Sequence, residues 1–345
     1  VLRLVDANLD RLGEGLRVLE DVSRFLLDDA ALSRRLKALR HSLVKDLVPL
    51  EQELLAARRV AGDVGAPRST AAVPHHEDLM ALVTANSRRV QESIRVLEEF
   101  ARLSGSPVAA KPARLQRLRF EVYELERELV SRLLRHDRLG RLSGLCVIVD
   151  SAALKGRGEV EVAARAIKGG ARVIQFRDKH SARVRLLYVA RWLKELCAEK
   201  GALFIVNDHL DIALAVGADG LHLGQDDLPV GEARRMLPMD TLIGCSVTGV
   251  AQALRAQASG ADYIGIGAIY RTPSKKESRP VGLAALKRVR ARVSLPVIAI
   301  GGINHGNVKE VIKAGADGVA VISAVLGADD IERATRRLVA RIGQN

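Results

Sequence analysis

Eight short apolar runs alternate with amphipathic segments across the second part of this 345-residue chain, and that alternation leaves few folds open. The runs read "LCVIVD", "RVIQF", "LFIVN", "GLHLG", "LIGCSV", "YIGIGAI", "PVIAIGG" and "GVAVIS". Segments of helical period such as "ARVRLLYVARWLKELCAEKG" separate them. Strand–helix units repeated in this number specify an α/β fold, a closed (β/α)8 TIM barrel over residues 143–345. Such a barrel gathers its active groups at the carboxyl ends of its strands.

Residues 1–140 carry helical periodicity and almost no strand signal, which predicts an all-α domain ahead of the barrel. It is internally duplicated: "ANLDRLGEGLRVLEDVSRF" from Ala7 realigns with "ANSRRVQESIRVLEEFARL" from Ala85 at a shift of 78. "RLKALR" from Arg35 matches "RLQRLR" from Arg114 at a shift of 79. Two copies of a helical hairpin predict a pseudo-two-fold bundle, because each hairpin must bury its apolar stripe. In the first copy Leu9, Leu12, Leu16, Leu19 and Val22 form that stripe, with Gly15 and Asn8 inside it. Asn8 and its mate Asn86 need partners on a buried face and could meet across the axis. Two readings stay open. The Asn, Arg and Glu groups form a buried network that fixes helix docking, or Asn8, Arg11, Asn86 and Arg89 line a small-molecule site. The Gly- and Pro-broken segment 61–78 is long enough to cover such a site. His75 and His76 within it read as a solvated turn.

The net charge of +13 invites a nucleic-acid reading, which its distribution opposes. The first 143 residues hold 25 basic and 21 acidic groups and the remainder 29 and 20, with no basic arm. Aromatic residues make up only 3%, too few for stacking platforms. Cys146, Cys197 and Cys245 lack metal spacing and read as reduced, buried thiols. No apolar run reaches membrane-spanning length and no leader is recognised, so no membrane partner is expected and the cytoplasm is the expected location.

The predicted strand ends carry the chemistry. Strand two ends in Gln175, Arg177 and Lys179, strand three in Asn207 and Asp208, and strand four runs into Gln225, Asp226 and Asp227. Ser246 ends strand five, and strand six leads into Thr272, Ser274 and Lys275. Gly301 and Gly302 close strand seven, and Ile322 and Ser323 close strand eight. Glycine-freed amides beside a helix start suit a phosphate. Arg177, Lys179 and Lys275 call for a second anion, and Asp208 and Asp226 have the hardness that Mg²⁺ prefers. Together these groups predict a Mg²⁺-assisted enzyme acting on phosphorylated small molecules.

In this order "QFRDK", "VND", "GLHLGQDD", "CSV", "IGAIYRTPSKK", "AIGGI" and "VAVISA" closely resemble the thiamine phosphate synthase family over about residues 143–340. The resemblance implies a transferase that joins hydroxymethylpyrimidine diphosphate to a thiazole phosphate, with Mg²⁺, and releases pyrophosphate. Carried over, Arg177, Lys179, Asn207, Ser246 and Lys275 would hold the diphosphate, and Asp208 and Asp226 the metal. Gln175 would contact the pyrimidine, and Thr272 and Ser274 would line the pocket near the thiazole phosphate. That phosphate would rest on Gly302, Ile322 and Ser323. The chain departs from the family at Tyr270-Arg271-Thr272-Pro273-Ser274-Lys275, where Phe-Pro-Thr-x-Thr-Lys is usual. The helical domain resembles one fused to some members and linked to phosphorylating hydroxymethylpyrimidine phosphate, although no Walker-type loop occurs in it. Two alternatives stand beside this reading: a thiazole-tautomerase-like barrel, whose relatives place a His where Thr248 stands, and a helical part that only dimerises or regulates. Homo-oligomerisation is left open.

Overall fold

The computed structural model describes residues 1–45, 51–58, 76–108, 110–272 and 279–343. The chain divides into two compact units, Val1–Leu134 and Arg135–Asn345.

The first unit is helical: α1 (Leu2–Asp21), a π-helical turn (Val22–Leu26), α2 (Ala30–Lys45), α3 (Glu51–Ala57), α4 (Leu79–Phe100) and α5, which spans Pro112–Gly140. Val5, Leu12, Leu16 and Leu19 of α1 are buried, as are Val83, Val90, Ile94 and Leu97 of α4, the positions 78 residues further on. Leu9 lies at the edge of this face, only partly buried. At Gly15 α1 and α4 pack closely: a Cβ built there would stand 2.7 Å from Val90 Cγ2 and 3.1 Å from the Asn86 carbonyl oxygen.

The second unit is the closed eight-stranded parallel barrel that the sequence pattern predicts, with strands paired in chain order. They are β1 (Gly144–Asp150), β2 (Val173–Arg177), β3 (Leu203–Asn207), β4 (Gly220–Leu223), β5 (Leu242–Val247), β6 (Tyr263–Gly267), β7 (Val297–Ile300) and β8 (Gly318–Val321). The helices around them are α6 (Glu159–Lys168), α7 (Arg183–Lys200), α8 (Leu210–Val216), α9 (Val230–Met236), α10 (Val250–Ala258), α11 (Gly282–Arg290), α12 (Val308–Lys313), α13 (Ser323–Leu326) and α14 (Ile331–Ile342).

Alternation along each strand sorts the core into two layers. Leu145, Val147 and Val149 face the helices, while Cys146 and Ile148 belong with Val173, Ile205 and Ile298 in the barrel interior. Continuing the same period to the strand ends carries Asp150, Arg177 and Asn207 onto the inward face. That is why β2, after its buried Val173, presents Gln175 and then Arg177 to one side. All three cysteines are buried free thiols, and burial pushes those of Cys146 and Cys197 up to about 12.

Candidate active site

A cavity of about 700 Å³ opens among the carboxyl ends of the strands. Its lining includes Gln175, Arg177, Lys179, Asn207, Asp208, Asp226, Ser246, Thr272, Gly302, Ile322 and Ser323, so most of the candidate residues share one space. Residues 273–278, Ser274 and Lys275 among them, lie outside the described residues, as do His75 and most of the 61–78 segment.

The two cations on the β2 side are held by carboxylates. Arg177 is ion-paired with Asp150, which is only 5% exposed and sits opposite it in the β1–β2 register. Lys179 Nζ lies 3.2 Å from Asp208 Oδ2. Between them in sequence, Asp178 organises the loop: its Oδ1 accepts from the amides of His180 and Ser181, each at 3.0 Å, and its Oδ2 accepts from Arg185 at 3.0 Å. Burial works against the ionised form, but these amides outweigh it and hold the Asp178 carboxyl at about 2.

Asp208 follows β3 in the left-handed region, φ 63°, and its amide donates to the His222 carbonyl at 2.8 Å. Burial pushes its carboxyl above the usual range, and the adjacent Asp227 pushes it further, more than Lys179 draws it back. Asp227 is anchored by the Gly224 amide at 2.6 Å. Of the two acidic residues after β4 it is therefore Asp227 that bears on Asp208, while Asp226 is exposed on the cavity lining. Two carboxylates pressed together, with a cavity beside them, form a donor set suited to a hard divalent cation. No cluster of three or more acidic, His or Cys groups with metal-holding geometry occurs among the described residues.

Opposite these groups, Gly301 and Gly302 adopt φ of 98° and 68°. A Cβ on Gly302 would meet the Arg271 carbonyl oxygen at 2.6 Å, so only glycine lets the post-β6 segment lie across it. Ile322 caps α13 and Ser323 begins it, with both on the cavity lining. Thr248 is occupied elsewhere: its amide and hydroxyl both donate to Gln252 Oε1, at 2.7 and 2.8 Å, at the start of α10.

Several lining residues were not singled out from the sequence. Asp150 is one, although it continues the inward period of β1. Arg279, exposed on the cavity lining, is another, with no motif to mark it. His222, buried on β4, bonds Ser246 Oγ through Nε2 at 2.9 Å and the Tyr263 hydroxyl through Nδ1 at 3.0 Å. A polar residue at an inward position and glycines inside β5 and β6 were the available signal.

In the helical unit the two asparagines satisfy themselves locally. Asn8 Nδ2 donates to the Leu4 carbonyl at 2.8 Å, and Asn86 Nδ2 to that of Leu82 at 2.9 Å, one turn back in each helix. Asn86 Oδ1 also accepts from Arg89, whose side chain, like that of Arg11, is exposed. The expected meeting across the axis is replaced by these bonds, because the i−4 carbonyl is the nearest acceptor for an Asn on a buried helix face.

Comparison with known proteins points to one family. Residues 145–325 match the model of the thiamine monophosphate synthase family, and residues 3–128 that of the ThiD2 family. The thiamine-phosphate synthase of Thermosynechococcus vestitus is 43% identical over 342 residues, covering 99% of this chain and 95% of the relative. That of Nostoc punctiforme is 40% identical over 344 residues, covering 100% and 95%. The solved thiamine phosphate pyrophosphorylase from Pyrococcus furiosus aligns with a TM-score of 0.56 at 41% identity, covering 59% of this chain and 97% of that one. No helix among the described residues is long and apolar enough to cross a membrane. With likeness along its whole length and a polar-mouthed barrel to carry it, the chain belongs to the thiamine-phosphate synthase family of transferases.

Proposed function

We propose that the barrel joins 4-amino-5-hydroxymethyl-2-methylpyrimidine diphosphate to a thiazole phosphate and releases pyrophosphate. The observation that carries this reading is the cavity itself. It sets Arg177, Lys179 and two adjoining carboxylates on one side and the Gly301–Gly302 and Ser323 backbone on the other, so that two anions have separate seats.

The bond between the pyrimidine methylene carbon and the diphosphate oxygen breaks, and its electron pair leaves with pyrophosphate. The electron-rich ring spreads the resulting positive charge, and the thiazole nitrogen lone pair then forms the new C–N bond. No proton transfer is needed in either step. The protein therefore works by positioning and by stabilising charge on the leaving group. Arg177, oriented by Asp150, and Lys179 bind that oxygen charge, with Asn207, Ser246 and Lys275 completing the diphosphate seat. Gln175, 5% exposed, orients the pyrimidine at the cavity floor. Thr272 borders the thiazole phosphate, a role the family resemblance implies for Ser274 as well, and Gly302, Ile322 and Ser323 receive that phosphate. Asp208 and Asp226, with Asp227 alongside, would hold Mg²⁺, which would supply positive charge to the departing pyrophosphate.

For the helical unit we propose phosphorylation of hydroxymethylpyrimidine phosphate to the diphosphate, a reading supported by its ThiD2 match. One assay tests both proposals. The purified full chain receives thiazole phosphate and Mg²⁺ with either the pyrimidine diphosphate, or the monophosphate plus ATP. Thiamine phosphate from the diphosphate is expected, and its absence overturns the barrel assignment. Product from the monophosphate makes the chain bifunctional, and none returns the helical unit to a structural or regulatory role.

A further inference from the structure

Beneath the cavity the barrel interior contains a row of residues that the proposed chemistry does not use. His222 of β4 is paired in register with Gly244 of β5, and Gly244 with Tyr263 of β6. Gly244 is what lets the two rings meet across its strand. A Cβ there would stand 2.1 Å from Tyr263 Cζ and 2.5 Å from His222 Nδ1. Gly265 clears the other side, where a Cβ would approach His222 Cε1 to 3.0 Å. Two glycines inside adjacent strands weaken those strands, and here they make room for one hydrogen-bonded pair, Tyr263 with His222, that ends on Ser246.

The direction of these bonds follows from chemistry. Tyr263 is 3% exposed, and burial pushes its hydroxyl well above the usual range, so it keeps its proton. A neutral imidazole has one donor and one acceptor nitrogen, so the partner of one ring nitrogen decides the role of the other. A buried phenol must place its proton on an acceptor, and the contact it makes is with His222 Nδ1 at 3.0 Å. Nδ1 then accepts, the ring proton resides on Nε2, and Nε2–H donates to Ser246 Oγ at 2.9 Å. With Oγ already accepting, its own proton is free to turn into the cavity.

Resting on the reading of the barrel given above, we propose that Tyr263 and His222 are positioning residues that fix Ser246 as a hydrogen-bond donor to the substrate anion. They act on the substrate anion through Ser246. They choose which of two roles the serine plays, since the other tautomer would make Ser246 donate to His222 and present only lone pairs to the cavity.

The tautomer can be read directly in the full-length wild-type protein labelled with ¹⁵N-histidine, with the His222 signals identified by their loss in His222→Gln. The proposal expects a protonated Nε2 and a bare Nδ1; a protonated Nδ1 overturns it. Kinetics then test the relay. Tyr263→Phe should lower kcat/KM about tenfold, less than the loss of a direct anion donor. In a Ser246→Ala background the same change should cost nothing further, whereas independent multiplying losses contradict a relay through Ser246. His222→Gln, which can return an N–H toward Oγ, should keep more activity than His222→Leu, and equal activities contradict the proposal. Wild-type product formation is the separate control: if the wild type makes no thiamine phosphate, the reading of the barrel fails, while the tautomer measurement still decides the relay.

Discussion

Lys179 Nζ and Asp208 Oδ2 lie 3.2 Å apart, so a cation assigned to the diphosphate is engaged by a carboxylate assigned to the metal. Arg177 is likewise engaged by a carboxylate, that of Asp150 on the neighbouring strand. Each cation is thereby held at the cavity lining before any substrate arrives, and an incoming Mg²⁺–diphosphate would exchange partners with the Lys179–Asp208 pair. The first consequence is kinetic. Arg177→Ala or Lys179→Ala should lower kcat/KM roughly 100-fold or more, on the scale of removing one charge-stabilising donor. Circular dichroism should show the fold unchanged. A loss confined to KM would mean that these groups only bind.

Asp227→Asn should separate metal binding from stability. Burial and then the Asp227 charge raise the Asp208 carboxyl, so the folded state holds its proton more tightly than the unfolded chain does. Stability therefore falls as pH rises from the ordinary carboxylate range toward the raised value. Removing the Asp227 charge relieves this, and the metal-free protein should melt higher at neutral pH. The same change should weaken Mg²⁺ activation about ten- to 100-fold. Unchanged Mg²⁺ dependence would exclude Asp227 from the metal's surroundings.

Asp178→Asn tests the loop that carries Lys179. Because the His180 and Ser181 amides outweigh burial and hold this carboxyl at about 2, its contribution is present above the unfolded value and lost as pH falls through the folded one. The shift corresponds to about 2 kcal/mol at neutral pH. Wild-type stability should therefore drop between about pH 4 and pH 2, and the variant should show a flatter acid limb. Parallel acid limbs would contradict the assignment.

In the helical unit, Gly15→Ala sets helix propensity against packing. Alanine favours a helix interior by about 1 kcal/mol. Its Cβ, however, would press on Val90 Cγ2 and the Asn86 carbonyl, and overpacking costs about 1–3 kcal/mol. Packing should win and Tm should fall. Gly13→Ala in the same helix, where a Cβ meets nothing within 4 Å, should raise Tm.

The barrel was legible in the sequence because its signal is local: eight buried strands with intervening helices announce themselves by alternation. The strand-end groups were legible for the same reason, since a polar residue following an apolar run is conspicuous. Pairings across strands were not. Nothing local says that Asp150 faces Arg177, or that Asp227 rather than Asp226 crowds Asp208, because both depend on register and loop conformation. His222 was hidden by its setting, a single polar residue within an apolar run that reads as core until Gly244 and Gly265 are seen to open space for it. The asparagines of the helical unit show the reverse error. Their polarity on a buried face suggested a shared partner, and the nearest carbonyl of each helix supplied one instead.

The most direct test of the account is calorimetric titration of the full chain with pyrophosphate, with and without Mg²⁺, in the wild type and in Lys179→Ala. If the barrel mouth is the diphosphate seat, Mg²⁺ should strengthen binding, and the substitution should weaken it about tenfold or more. Pyrophosphate binding that is indifferent to both Mg²⁺ and Lys179 would contradict that placement.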